Sequence, residues 1–311
     1  MTVTGGRLVA LAGLALLAAC VETAPPLPAP KPAPQPAPPA IAPLSAESLA
    51  ERDRLDRLQT HLLAQGLLRT DGGGRDAPFA DWQLARNFQR IAFYDEFVAA
   101  RGSLVAREME TTLKRWDKPI RFGIVFGASV PEAQRTRDRA TIRAYVARLS
   151  RITGHPMSMG ETGNFTVMIL NADERRGAEP LLRAAMPPIA QAAVRAVTFM
   201  APETDCQMFA FTAGGGSAYT DAIAVIRGEQ PDLSRIACIH EEIAQGLGLS
   251  NDSRAARPSI FNDDEEFAFL TRHDELLLRI LYDARLAPGM TQDTARPIVE
   301  TIAAELMGGA S

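Results

Sequence analysis

The chain has 311 residues, of which 46% are hydrophobic and 23% charged, and its formal net charge is −4. That acidic balance argues against nucleic acid, or an anionic membrane surface engaged through charge, as a partner. Behind an unusual N-terminal region, roughly 270 residues remain to bury one large core or two modest ones.

Residues 1–19 read as a signal peptide. Met1 to Arg7 carries one positive charge and no acid, and Leu8 to Leu17 is an apolar run with nothing more polar than Gly13. The run is too short to span a bilayer core of ~30 Å, so a retained transmembrane anchor is the weaker reading. Leu17-Ala18-Ala19-Cys20 resembles a bacterial lipobox. The resemblance implies a diacylglyceryl thioether on Cys20, a lipid anchor to the envelope facing the periplasm and, with non-acidic Val21 next, sorting to the outer membrane. A cleaved signal with a chance cysteine is the competing reading. From Cys20 to residue 44 the chain is rich in Pro and Ala, with Pro25, Pro26, Pro28, Pro30, Pro32, Pro34, Pro36, Pro38 and Pro39. Such a segment favours extended polyproline II at ~3.1 Å per residue and reads as a spacer.

Residues 45–115 read as a helical lead-in. Leu49, Leu55, Leu58, Leu62 and Leu63 recur at helical spacing, and after Gly72-Gly73-Gly74 so do Leu84, Phe88, Ile91, Tyr94 and Val98. Residues 116–311 read as an α/β domain. The predicted strands are Ile120–Phe126, Asn164–Leu170, Gln207–Thr212 and Ala222–Ile226. The predicted helices are Val130–Ile152, Leu181–Val197 with a break at Pro187-Pro188, and then about 233–247, 271–285 and 292–307. Together they form a mixed sheet with helices. With Cys20 taken by lipid, Cys206 and Cys238 remain as an even pair in an oxidising compartment, which predicts a disulfide.

The chemically loaded stretch runs from Cys238 to Asp252. His240-Glu241 starts like a zinc-protease HExxH helix, but the second ligand would fall on Ala244. His240 also shares its face with Leu233, Ile236, Ala237, Ile243, Ala244 and Leu247, which predicts a hydrogen-bonded core histidine. Shifted by one residue, Glu241 to Asn251 resembles the matrixin-type metzincin pattern H-E-x-x-H-x-L-G-L-x-H. Glu241, Gln245 and Asn251 then stand at the metal-ligand positions, Glu242 at the general base, and Gly248 where the chain leaves the helix with positive φ. Pro258-Ser259-Ile260-Phe261 is similar to the turn that floors the metal site, with Phe261 at its methionine position. Leu270 to Tyr282 is similar to the closing helix, where Thr271 and Asp274 predict a capping box. The resemblance implies a zincin-like α/β fold over residues 119–286.

The mature chain more closely resembles an uncharacterised proteobacterial lipoprotein family, the domain of unknown function 2927. Cys238-Ile239-His240-Glu241-Glu242, Leu247 to Asp252, Pro258 to Asp263 and Leu270 to Asp274 carry that match. It implies a family and no activity.

One carboxylate and two amides are a poor zinc set, since active zincins use imidazoles with an open water position. Amide oxygens suit Ca²⁺ or Mg²⁺ better. Three readings stay open: a structural relic in which one carboxylate is protonated or bonded to Gln245, a divalent cation among Glu241, Gln245 and Asn251, or a hydrolase with Glu242 as base. No cofactor follows, and the favoured function is a non-catalytic envelope lipoprotein that binds an unknown envelope protein or peptide. Other polar features read more plainly. Asp263-Asp264-Glu265-Glu266 suggests a solvated face, Gly214-Gly215-Gly216-Ser217 a hairpin loop, and His61 and His155 have no ligand-spaced partner.

Overall fold

A computed structural model describes residues 43–100, 103–262 and 264–308. The signal peptide, Cys20 and all of the linker but its last two residues lie outside them.

The helical lead-in forms two helices, α1 (Ala46–Ala64) and α2 (Asp81–Ala92). The helical pattern does not continue through Tyr94 and Val98. Strands β1 (Tyr94–Ala100) and β2 (Ser103–Glu110) pair antiparallel instead, with Val98 opposite Val105 and Ala100 opposite Ser103. Between the strands the sequence has Arg101-Gly102, which lies outside the described residues and whose single glycine is a short turn signal.

The main sheet contains β3 (Ile120–Phe126), β4 (Met157–Met159), β5 (Phe165–Leu170), β6 (Cys206–Thr212) and β7 (Tyr219–Arg227). Its order is β4-β3-β5-β7-β6. All neighbours are parallel except β6, which runs antiparallel at one edge. Helix α3 (Glu132–Thr153) follows β3, and α4 (Ala172–Arg176), α5 (Glu179–Ala185) and α6 (Gln191–Thr198) follow β5. The prolines at 187 and 188 separate α5 from α6, as proline removes a donor and clashes with the preceding turn. The chain closes with α7 (Asp232–Gln245), α8 (Arg272–Leu281) and α9 (Gln292–Leu306).

Strand β5 shows how the layers form, because its six residues are all buried. Phe165, Val167 and Ile169 enter the larger core with α2, α3, α7, α8 and α9. Met168 and Leu170 enter a second core with Leu182, Val194 and Val197. Alternation along a strand with both faces covered produces these two layers. Leu84, Phe88 and Ile91 of α2 belong to the larger core, so the lead-in packs with the rest as one compact unit.

Helix α7 begins after Pro231 with Asp232 in its first turn, where the positive end of the helix favours an acid. Leu233, Ile236 and Ala237 are only half-buried, while Ile239 and Ile243 are fully buried. Arg235 of α7 and Asp138 of α3 form a buried ion pair at 2.9 Å, which fixes the two helices together. Burial pushes the Asp138 carboxyl upward and Arg235 partly opposes that. Among the described residues no helix is long and apolar enough to cross a membrane.

Candidate functional site

The edge strand β6 and helix α7 are joined by the disulfide Cys206–Cys238, as the cysteine count predicts. Closing a loop of sequence separation 32 stabilises by ~3–4 kcal/mol in the chain-entropy model. Beside this junction lies a cleft of about 660 Å³, lined by every residue of β6 and by Glu241, Glu242 and Gln245 of α7. Spacings of one, three and four residues place those three side chains on neighbouring parts of the helix surface. Ile189, Ala190 and Ala193 supply an apolar part of the lining.

The cleft is acidic. Asp95, Glu203, Asp205, Glu241, Glu242, Asp252 and Glu265 line it, whereas Lys114 is the one basic residue among its described lining. Lys114 is itself paired with Asp95 at 2.7 Å. Burial pushes the Asp205 carboxyl above its usual range, and Arg54 partly offsets this. Glu242 is buried at 4% exposure, Glu241 is half-buried, and the Gln245 amide donates to Asp252 at 3.4 Å.

The sulfur of Cys206 and carboxylate oxygens of Glu241 and Glu242 lie within 4.8 Å of one another. Because that sulfur is in the disulfide, it is no thiolate ligand, and the group reduces to two carboxylates. Gln245 lines the same cleft, but Asn251 does not. The Asn251 amide instead donates to the Arg90 carbonyl and to Glu108, each at 3.0 Å, on the wall of a separate cavity. Two carboxylates and an amide are hard donors that fit Ca²⁺ or Mg²⁺ and do not fit a zinc centre.

His240 is a core residue. Its ring stacks on Tyr145 at 3.9 Å, and Nδ1 accepts the Leu270 N–H at 3.1 Å. Burial, helped by the Arg148 charge, pulls its pKa from 6.5 down to about 3, so the ring is neutral. Gly248 has φ +127°, and a Cβ there would meet the Lys114 carbonyl oxygen at 2.2 Å. Thus the chain leaves α7 by a path open to glycine alone. The indole of Trp116 and the phenol of Tyr282 donate to the carbonyls of Gly246 and Leu247, satisfying the helix end.

The downstream stretches form a closed polar cluster. Thr271 and Asp274 make the expected capping box of α8. The Asp274 carboxylate also accepts from Ser259 at 2.5 Å and from the Ile260 N–H at 3.1 Å, and it lies 2.8 Å from the Thr271 hydroxyl. Those bonds clamp the turn at 258–261 onto the helix start, and Phe261 fills the core beside it with no exposure. Of the acid run, Asp264 and Glu265 are exposed, as a solvated face would be, and Glu265 borders the cleft, whereas the half-buried Glu266 pairs with Arg257 at 2.6 Å and Arg69 at 3.0 Å. Asp263 lies outside the described residues. The residues at 213–215 form one 3-10 turn between β6 and β7, His61 contacts Gln65, and His155 bonds the Lys118 carbonyl.

Asp95, Glu203 and Asp205 had no signal in sequence, because they reach the cleft from segments far apart in the chain.

The protein belongs to the DUF2927 family, described as protein of unknown function, whose family model matches residues 81–301. The match begins at α2, inside the predicted lead-in, and ends within α9. No curated protein and no solved structure matches the chain.

Proposed function

We propose that this chain is an envelope lipoprotein of the outer membrane that binds an extended peptide segment of a partner in the β6–α7 cleft and does not cut it. The carrying observation is the strand: all of Cys206–Thr212 borders the cleft, and among the described residues β6 pairs only with β7. An edge strand beside a cleft can accept another strand through main-chain hydrogen bonds, with side chains reading alternate pockets. The acidic lining favours a peptide with basic side chains. The zincin-like reading draws on the order of elements, a mixed sheet followed by α7 with Glu242 at the base position and Gly248 at the helix exit. The disulfide at Cys206 and the bonds that hold buried Asn251 to Arg90 and Glu108, away from the cleft, argue against a zinc centre at that place. The close carboxylates of Glu241 and Glu242 favour one other reading, a cation-dependent hydrolase with Glu242 as general base.

Titration of isotope-labelled protein with a peptide of alternating lysine and valine should shift backbone amide signals of β6 and α7, with the peptide intact by mass spectrometry. Shifts confined to other elements, or a cleaved peptide, would remove the reading. Independently, detergent-extracted protein should carry the mass of a lipidated Cys20, and Cys20→Ala should leave it unanchored. A wild-type chain with an unmodified N-terminus in the soluble periplasmic fraction would remove the anchor.

A further inference from the structure

A second cavity, of about 620 Å³, opens between α2 and the segment after α7. Arg86 and Arg90 line it from α2, four residues apart and therefore on one face, and Arg254 lines it from the opposite segment. Both helix guanidiniums are held on aromatic rings, Arg86 on Trp82 at 4.9 Å and Arg90 on Tyr94 at 4.7 Å. Stacking of this kind fixes a guanidinium while leaving its N–H edge free to bind. Arg90 is paired with Glu108 at 2.7 Å. Neither Arg86 nor Arg254 has an ion-pair partner among the described residues, and both are exposed. The lining therefore offers two guanidiniums that its own acids do not engage.

The cavity also contains an unsatisfied buried acceptor. Asn87 is 1% exposed and lines the cavity between the two α2 arginines. Its amide nitrogen lies 3.1 Å from Nε2 of the buried His273, whose Nδ1 faces Asp274 at 3.6 Å. With the ring proton placed on Nδ1, which has no hydrogen-bond partner among the described residues, Nε2 accepts from Asn87; this tautomer is an assignment. Asn87 Oδ1 is then left buried with no partner among the described residues. A buried acceptor without a donor is costly, and a ligand hydroxyl or N–H would satisfy it. One turn before Arg86, whose guanidinium it carries, the Trp82 side chain is 59% exposed, an unusual position for so large an apolar group.

We infer that this cavity binds an acidic saccharide. Its carboxylate or phosphate is held by Arg86 and Arg254, a hydroxyl or amide donates to Asn87 Oδ1, and the sugar's apolar face lies toward Trp82. The requirement for both an oxyanion and an adjacent donor distinguishes this ligand from a simple anion. The site is independent of the peptide cleft, although Asp252 lines both.

Calorimetric titration of the wild-type protein with glucuronate and with glucose 1-phosphate, against acetate, inorganic phosphate and glucose, tests this inference. At least one acidic sugar should bind tenfold or more tightly than its bare anion and than glucose. The double substitution Arg86→Gln with Arg254→Gln, both at exposed positions, should weaken that binding at least tenfold with the circular dichroism unchanged. Equal binding of sugar and bare anion, no binding of either sugar, or full affinity in the double variant would overturn it.

Discussion

Two polar clusters near the C-terminal end carry equally suggestive sequences, yet their hydrogen bonds go to different places. Around Asp274, the partners are Ser259, the Ile260 N–H and Thr271, so the carboxylate is spent on holding one turn to one helix. Along Glu241, Glu242 and Gln245 the side chains line a cleft of about 660 Å³. The first arrangement is a clamp, in which burial and full satisfaction make a polar group structural. The second lines a cleft with a half-buried Glu241 and a buried Glu242. Residue type alone does not separate these cases; where each group finds its partner does.

Asp274→Ala should be the most damaging change, since it strips several buried donors at once. A loss of about 3 kcal/mol or more in urea unfolding is expected. A loss under ~1 kcal/mol would mean that the cluster is no clamp. Removing the disulfide by Cys206→Ser with Cys238→Ser should cost ~2–4 kcal/mol, visible as a lower Tm than the oxidised wild type.

His240 tests the core side of α7. The ring titrates near 6.5 when unfolded and about 3 when folded, so the unfolded chain binds the extra proton between those values. Stability should therefore fall as pH drops from about 6.5 toward 3, by up to ~1.4 kcal/mol per pH unit from this group. His240→Phe keeps the stacked ring but loses the bond from Leu270, costing ~1–3 kcal/mol at pH 7. Its pH slope should be shallower than the wild type's, and an unchanged slope would show that another group sets the acid limb. Glu241→Gln and Glu242→Gln should have the smallest effects, within ~1 kcal/mol at pH 7. A loss as large as that of Asp274→Ala would erase the difference between the clusters.

Strands β3, β5, β6 and β7, the long helix α3 and the helices from α7 onward follow from hydrophobic period and punctuation in the sequence, whereas the three-residue β4 is too short to show a period. Gly248 and the Thr271–Asp274 capping box were also legible, because each rests on local backbone chemistry. The β1–β2 hairpin was not, since steps of three and four from Phe88 to Val98 fit a helix and the Arg101-Gly102 turn signal is short. Helical phase identified His240 as core, but the face was misplaced: Leu233, Ile236 and Ala237 stay half-buried while Ile239 anchors the helix. In the candidate site, Glu241, Glu242 and Gln245 share a cleft as the helix spacing implies. The separation of Asn251 from them depends on Arg90 and Glu108, more than 140 residues away in the chain, and no local pattern encodes it.

The central claim is that the α7 cleft is a binding site and not a zinc protease centre. Metal analysis by mass spectrometry, on protein purified without chelator or nickel resin, tests it most directly when paired with a casein cleavage assay. The account predicts no stoichiometric zinc and no cleavage. One tightly held zinc per chain, with cleavage that disappears in Glu242→Gln, would contradict it.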